Sequence, residues 1–254
     1  MKKSEVSSLD LKLASAVQDA LLNSQVPQCH CGKMVLKNRM CSTIGGDFYH
    51  FRKLHDDQIA FAIGDVMGHN VSSALVMTMI MGLLQADRVD NRRPNRVAGT
   101  INDELVNLGE QVGEPITCSL IYGVVDLPSG ILLYVNAGHP HPIIFNRIKH
   151  HIAELAPTTM LLGVQRGLLP ESCHQFVRGD RLVLFTDGII EAGNLARDRF
   201  GKERLSQTII KTGEQDPQIL TDELFGELET FRQKLPPEDD QTTVVIDFDA
   251  IQYQ

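Results

Sequence analysis

A chain of 254 residues with 43% hydrophobic and 22% charged side chains suffices for one large domain or two small ones, with apolar material enough for a core. Its 24 Lys and Arg against 32 Asp and Glu leave a net charge of −8, a surface that repels phosphate backbones and excludes non-specific nucleic-acid binding. The longest apolar stretch, residues 74–84, falls far short of the roughly 20 residues that span a bilayer, and MKKSEVSSLD has no apolar run behind its basic start, so a cytoplasmic protein with no membrane partner is expected.

Val6, Leu9, Leu13, Ala16 and Ala20 recur at spacings of 3, 4, 3 and 4, which predicts a helix over 6–22. The stripe lasts under three heptads, so a coiled-coil seam and an amphipathic helix lying on its own domain stand as alternatives; Pro27 ends the helix. Segments near 29–38, 46–54 and 58–64 carry apolar residues without helical spacing and predict strands, the last two joined by a turn at His55-Asp56-Asp57. Asn70 stands as N-cap before VSSALVMTMIMGLLQADR. That segment is apolar nearly all round, hence a buried helix, and Met77, Met79 and Met81 belong to its packing. Pro94 opens a second helix, amphipathic through Val97, Ile101, Leu105 and Leu108.

A second block of strands follows at 116–126, 131–136, 142–146 and 151–155, with a Pro128-Ser129-Gly130 turn after the first. The continuous apolar run 181–185 ends at Thr186-Asp187-Gly188 and predicts a buried strand with a polar loop at its tip. Helices over 201–212 and 217–234 precede a last strand, 243–248. This succession predicts an α+β fold of two packed sheets with helices outside. Residues 1–26 form an N-terminal linker helix, and 27–254 form one domain.

Several strands end in acid. Asp47 lies in GGDFY, Asp65 ends IAFAIGD, Asp187 ends RLVLFTDG, and Asp239-Asp240 precede QTTVVIDF. A carboxylate at the edge of a core is costly, and one such Asp is ordinarily a turn or an N-cap. Four of them, each flanked by Gly or a second acid, suggest a converging oxygen-rich site suited to Mg²⁺ or Mn²⁺. Two such ions could share and deprotonate a water for in-line attack on phosphorus.

The ordered set GGDFY, IGDVMGHN with its following helix, NAGHPHP, LVLFTDGIIEA and DDQTTVVI resembles the SpoIIE/RsbU branch of the metal-dependent PPM (PP2C-like) serine/threonine phosphatases, over residues 27–250. The resemblance implies a PP2C-like α-β-β-α sandwich, two mainly antiparallel sheets flanked by helices, with two ions, Mn²⁺ or Mg²⁺, in a cleft at one end. It implies Asp47 and Asp65 as catalytic residues that bind or bridge the metals, with the backbone carbonyl of Val66 as a further ligand. Asp187 and Asp239 complete the second ion's shell, Asp240 being the open alternative to Asp239. Two positions depart from the pattern. His50 stands where many relatives carry a second Asp, which leaves the strength of an extra metal site open, and Asn70 replaces the Gly common after GH. The Arg motif with which eukaryotic relatives hold phosphate is absent, as in similar bacterial members, so the metals carry that charge alone.

Other chemistries fail on the residues. The five cysteines, Cys29, Cys31, Cys41, Cys118 and Cys173, are an odd number in a chain too large to need disulfide staples. A cysteine phosphatase needs Arg six positions after its nucleophile, and Lys37 occupies that place after Cys31. Cys29-His30-Cys31 lacks a second ligand pair at zinc spacing. GGDFY is similar to the GGDEF signature of diguanylate cyclases without its next acid. Neither a G-x-G-x-x-G after a strand nor a Walker lysine loop occurs. His139 and His141 are candidate general acids or, in the simpler reading, hydrogen-bonded residues of a turn.

The resemblance therefore implies a phosphoserine/phosphothreonine protein phosphatase in bacterial signalling, acting on a phosphorylated anti-sigma-factor antagonist. It also suggests a sigma-factor pathway partner, an upstream sensory or response-regulator module, and a weak homodimer through the N-terminal helix. The rival is a non-catalytic response-regulator output that binds a sigma factor or its regulator after losing the ligands. Here all four acids are present.

Overall fold

The computed structural model describes residues 8–22, 27, 32–55, 57–68, 71–86 and 90–251. The chain runs α1 (Ser8–Leu22), β1 (Met34–Arg39), β2 (Asp47–His55), β3 (Gln58–Val66), α2 (Val71–Gln85), α3 (Pro94–Val112), β4 (Cys118–Asp126) and β5 (Ile131–Ala137). It continues through β6 (Ile143–Asn146), β7 (His151–Glu154), β8 (Ser172–Gln175), β9 (Asp180–Phe185), α4 (Asp187–Ile190), α5 (Gly201–Lys211), α6 (Pro217–Arg232) and β10 (Gln241–Phe248). Two five-stranded antiparallel sheets result, ordered β1-β10-β9-β6-β7 and β2-β3-β4-β5-β8. Helices α2 and α3 lie on the second sheet, α5 and α6 on the first, giving the α-β-β-α order of layers.

Both faces of the central strands are covered. β9 and β10 are buried along their whole length, and β3 is buried except near its ends, which explains their continuous apolar runs where a half-exposed strand would alternate. One core, including Phe48, Phe61, Met77, Ile101 and Leu184, spans the second sheet, its helices and the space between the sheets. Another, including Phe145, Phe185, Leu205 and Leu224, fills the space between the first sheet and α4–α6. Arg181, fully buried on β9, makes paired hydrogen bonds to Asp247 of 2.6 and 2.9 Å and donates to the carbonyls of Thr212 and Gln215. The guanidinium is thereby satisfied without water, and the α5–α6 connection is tied to the sheet.

Several sequence expectations are corrected. α1 does lie on its own domain, but through Gln18 and Leu22, which are buried, while Leu9 and Leu13 of the anticipated stripe are 74% and 66% exposed. α2 is buried along one face only, with Val71 and Leu75 in solvent. The tip of β9 is the short helix α4, and the edge strand β8, with alternating exposure and no apolar signature, was not anticipated. Val6, Cys29, His30, Cys31, Asp56, His69 and Asn70 lie outside the described residues, so the N-cap and the cysteine pair are untouched by the structure. Among the described residues no helix is long and apolar enough to cross a membrane.

Candidate metal centre

The strand ends of both sheets converge at one end of the sandwich. In the second sheet β2 and β3 pair so that Asp47 stands opposite Asp65, and β4 sets Ser119 opposite Asp65 on its other side. In the first sheet β9 and β10 are neighbours, so Asp187, two residues beyond Phe185, meets Asp239, two residues before Gln241. One carboxylate oxygen from each of Asp65, Asp187 and Asp239 lies within 4.8 Å of the others. A Cβ on Gly46 would stand 2.6 Å from the Val66 carbonyl oxygen and 2.9 Å from Asp65 Oδ1, so only glycine lets those oxygens approach the GGD turn.

The other acids have distinct surroundings. Asp47 is buried, and its Oδ2 accepts hydrogen bonds from Thr242 Oγ1 at 2.5 Å and Thr186 Oγ1 at 2.8 Å. Those two hydroxyls fix the carboxylate and leave Oδ1 to a further partner. Asp240 is committed elsewhere: Oδ1 accepts from the Cys41 amide at 2.8 Å and Oδ2 from the Gly46 amide at 3.0 Å. The same turn is held from outside by α1, where Gln18 Nε2 donates to the Gly45 carbonyl at 2.8 Å and the Gly45 amide donates to Gln18 Oε1 at 3.0 Å. Asp240 and Gln18 thus clamp the backbone that carries Asp47, and Asp239 is the acid of the adjacent pair that joins the cluster.

Crowded, half-sheltered carboxylates resist ionisation. Burial, then the neighbouring charges of Asp47, Asp187, Asp239 and Asp240, push Asp65 up to about 9. Asp187 is raised by burial, Asp239 and Glu191. Asp47 is raised by burial against the opposing pull of its two threonine hydroxyls. A divalent cation removes this repulsion. A donor set made only of oxygens suits a hard ion such as Mg²⁺ or Mn²⁺ better than zinc. The residues present fit the metals that the sequence motifs imply.

The remaining candidates fall outside the cluster. Burial pulls His50 down to about 4, so it is a neutral imidazole on β2 that supplies no carboxylate charge. A cavity of about 440 Å³ opens beside the cluster, lined by Asp65, Asp187, Ser119, His139, His141 and Lys202, among others. His139 is buried with Nδ1 2.9 Å from Ser119 Oγ, and His141 is half-exposed beside Glu154. The Cys41 thiol is pushed up to about 12 by burial and Asp240, and burial raises Cys118 as well, so neither is an activated nucleophile. Sequence reasoning missed Gln18, Ser119, Thr186 and Thr242. The two threonines sit inside the motifs TDG and DDQTT and were within its reach; Gln18 gives no local signal.

The profile of the family Stage II sporulation protein E (SpoIIE) matches residues 55–249. Protein IcfG of Synechocystis is 25% identical over 89% of this chain and 40% of its own length. Phosphoserine phosphatase RsbU of Bacillus subtilis is 25% identical over 72% of this chain and 53% of its own length. The chain thus spans about half, or less, of these curated relatives. The SiaA-PP2C domain of Pseudomonas aeruginosa superposes with a TM-score of 0.81 at 21% identity, over 94% of this chain and 96% of that one. The sandwich is therefore the PP2C fold, and with three quarters of its length matched by the profile the chain belongs to the SpoIIE family.

Proposed function

We propose that this chain is a Mn²⁺- or Mg²⁺-dependent phosphoserine/phosphothreonine protein phosphatase domain of bacterial signalling. The observation that carries the proposal is the convergence of Asp65, Asp187 and Asp239 within 4.8 Å beside a cavity that Asp65 and Asp187 line, in a chain similar to a protein named phosphoserine phosphatase. Asp65, Asp187 and Asp239 would hold the ions together with Asp47 Oδ1 and the Val66 carbonyl. When bound, two such ions supply Lewis acidity and an activated water for in-line displacement at phosphorus.

The chain's own groups act around that chemistry. Thr186 and Thr242 hold Asp47 through Oδ2. Asp240 and Gln18 fix the turn that presents it. The carboxylates would balance the charge of the cations, and the cations in turn that of the phosphate. The substrate class proposed is a phosphorylated anti-sigma-factor antagonist, in a sigma-factor pathway of the cytoplasm. Residues 1–26 are proposed as a linker helix to an upstream sensory module and 27–254 as the catalytic domain. The exposed Leu9, Leu13 and Val17 of α1 support a weak homodimer through that helix. A non-catalytic adaptor has no use for four carboxylates held together at a cost to stability.

The test is release of phosphate from an aryl phosphate and from phosphoserine peptides, with Mn²⁺, with Mg²⁺ and with chelator. Turnover should require added metal and be abolished by Asp187→Asn. Full turnover in chelator, or in Asp187→Asn with metal, would overturn the two-metal reading.

A further inference from the structure

The cavity of about 440 Å³ that Asp65 and Asp187 line has one lysine or arginine on its wall among the described residues, Lys202. Local structure gives no reason for a cation there. Lys202 is the second residue of α5, and the positive end of a helix dipole disfavours an ammonium in the first turn. Its ion pair adds little. Nζ donates to Glu154 Oε2 at 2.8 Å with both side chains partly exposed, and such pairs contribute little to stability.

What the pair does is aim the ammonium. Glu154 ends β7, the edge strand of the first sheet, and its Oε2 also lies 3.2 Å from His141 Nδ1. Against burial, which raises it, Lys202 and then His141 hold the Glu154 carboxyl below its usual value. Lys202 and His141 line the cavity and Glu154 does not, so the carboxylate stands behind the ammonium as seen from the cavity. The third acid on the wall, Glu191, is paired with Arg199 at 2.7 Å. An ammonium has three donors, and this one spends a single hydrogen bond on Glu154. The other two are free for an anion in the cavity. Four ionised carboxylates, Asp47, Asp65, Asp187 and Asp239, cancel the charge of two divalent ions, so a phosphate monoester dianion would meet a centre with no net positive charge. A cation on the wall offsets that deficit, and lysine serves phosphate as a point charge without needing bidentate geometry.

From the placement of Lys202 in one cavity with Asp65 and Asp187, and of Glu154 behind it, we infer that Lys202 is a substrate-binding residue whose ammonium donates to the phosphoryl group of the bound phosphoserine. The inference rests on the phosphatase reading and deepens it. The phosphate's charge falls on a side chain as well as on the metals, in place of the expectation that the metals carry it alone.

The test is calorimetric binding of inorganic phosphate to the Mn²⁺-loaded protein, for wild type, Lys202→Met, Lys202→Arg and Glu154→Gln. Mn²⁺ binding is measured beside it, with turnover of an aryl phosphate and of phosphoserine peptides with and without acidic neighbours. Lys202→Met should bind inorganic phosphate about 10-fold more weakly. Its KM for the aryl phosphate should rise by a similar factor with kcat within about 2-fold, because the contact is made alike in ground and transition states. Its Mn²⁺ affinity should be kept or raised, since a neighbouring cation is lost, whereas structural damage would lower both affinities. Lys202→Arg should bind phosphate within about 3-fold of wild type. Glu154→Gln keeps an acceptor for Lys202 and removes the opposing charge, so it should bind phosphate at least as tightly as wild type. Unchanged phosphate affinity in Lys202→Met would reduce the pair to a surface ion pair and overturn the inference. Parallel losses of Mn²⁺ and phosphate, a Lys202→Arg no better than Lys202→Met, a Glu154→Gln as weak as Lys202→Met, or a wild type that binds no phosphate with Mn²⁺ would overturn it too. Losses confined to peptides with acidic neighbours would overturn it by assigning Lys202 to a peptide carboxylate. Turnover and phosphate binding that ignore Lys202→Met would defeat the inference and leave the phosphatase reading standing. Phosphate binding that falls in Lys202→Met of a protein without turnover would defeat that reading and leave the phosphate contact standing.

Discussion

Replacing Asp65 by Asn should stabilise the metal-free protein and destabilise the metal-loaded one. Without metal, Asp65 is pushed from 3.8 up to about 9 by burial and the surrounding carboxylates. Its folded value therefore exceeds its unfolded value, and at pH 7 the folded protein must hold a proton that the unfolded chain releases. The cost is about 1.4 kcal/mol for each pH unit above 3.8, which sets a ceiling of about 4 kcal/mol at pH 7. Asn removes the charge but keeps a buried amide to desolvate, so a gain of about 2 kcal/mol is expected. In a domain of this size that is about 4–8 °C in Tm. The gain should shrink as pH falls towards 4, vanish below the unfolded value of 3.8 where both states are protonated, grow as pH rises through neutrality, and level off near 9.

Saturating Mn²⁺ inverts the order. A ligand at 100 times its Kd stabilises the native state by about 2.7 kcal/mol, and the variant forfeits that gain in proportion to its lost affinity. Thermal unfolding of both proteins in chelator and in Mn²⁺, from pH 4.5 to 8.5, gives four curves. Wild type should lie below Asp65→Asn in chelator at pH 7 and above it in Mn²⁺. A variant less stable than wild type in chelator, or a difference that does not change with pH, would refute the account of mutual carboxylate repulsion.

Gln18→Ala orphans the buried amide and carbonyl of Gly45, at about 1–3 kcal/mol each, and should weaken Mn²⁺ binding along with stability in urea; unchanged Mn²⁺ affinity would separate α1 from the metal centre. Arg181→Met takes the paired hydrogen bonds from buried Asp247, leaving it Arg147 alone at 3.4 Å, and should cost up to about 3–5 kcal/mol with Mn²⁺ affinity retained, since the pair lies away from the carboxylate cluster. Iodoacetamide should leave turnover intact while chelator abolishes it; the reverse would return the chemistry to a cysteine. Leu9→Glu/Leu13→Glu, on the exposed face of α1, should make the protein monomeric at every concentration by sedimentation without lowering Tm; a mass unchanged from wild type in solution would remove this helix from any dimer.

What the sequence could tell depended on how each residue earns its place. The clustered acids were legible because their positions conflict with burial: an apolar run such as RLVLFTDG has no packing reason to end in Asp, and four such acids at strand ends point to a shared site. The sandwich was legible from runs like IAFAIGD, whose continuous apolarity matches strands covered on both faces. The edge strand β8 was not, because Ser172–Gln175 faces solvent along one side and carries no apolar alternation. The face of α1 that meets the domain was not legible for a related reason. Leu9 and Leu13 have the periodicity that predicts a buried stripe, yet they point to solvent while a glutamine is buried.

That inversion has a physical cause with a functional consequence. A buried Gln is costly unless both ends of its amide are matched, and Gly45 matches both with one backbone amide and one carbonyl. The match is specific in a way that leucine packing is not: it holds for one register of α1 against one turn, and a shift of the helix by a single residue breaks both hydrogen bonds at once. The same turn carries Asp47 two residues on and is gripped from the other side by Asp240. Hydrophobic periodicity is blind to such contacts, because it scores area and not direction. The contacts that place Asp47 (Gln18 to Gly45, Thr186 and Thr242 to Asp47) are all directional, and each joins segments far apart in sequence. The clustered carboxylates could be found in the sequence; the groups that aim them became visible only with the fold.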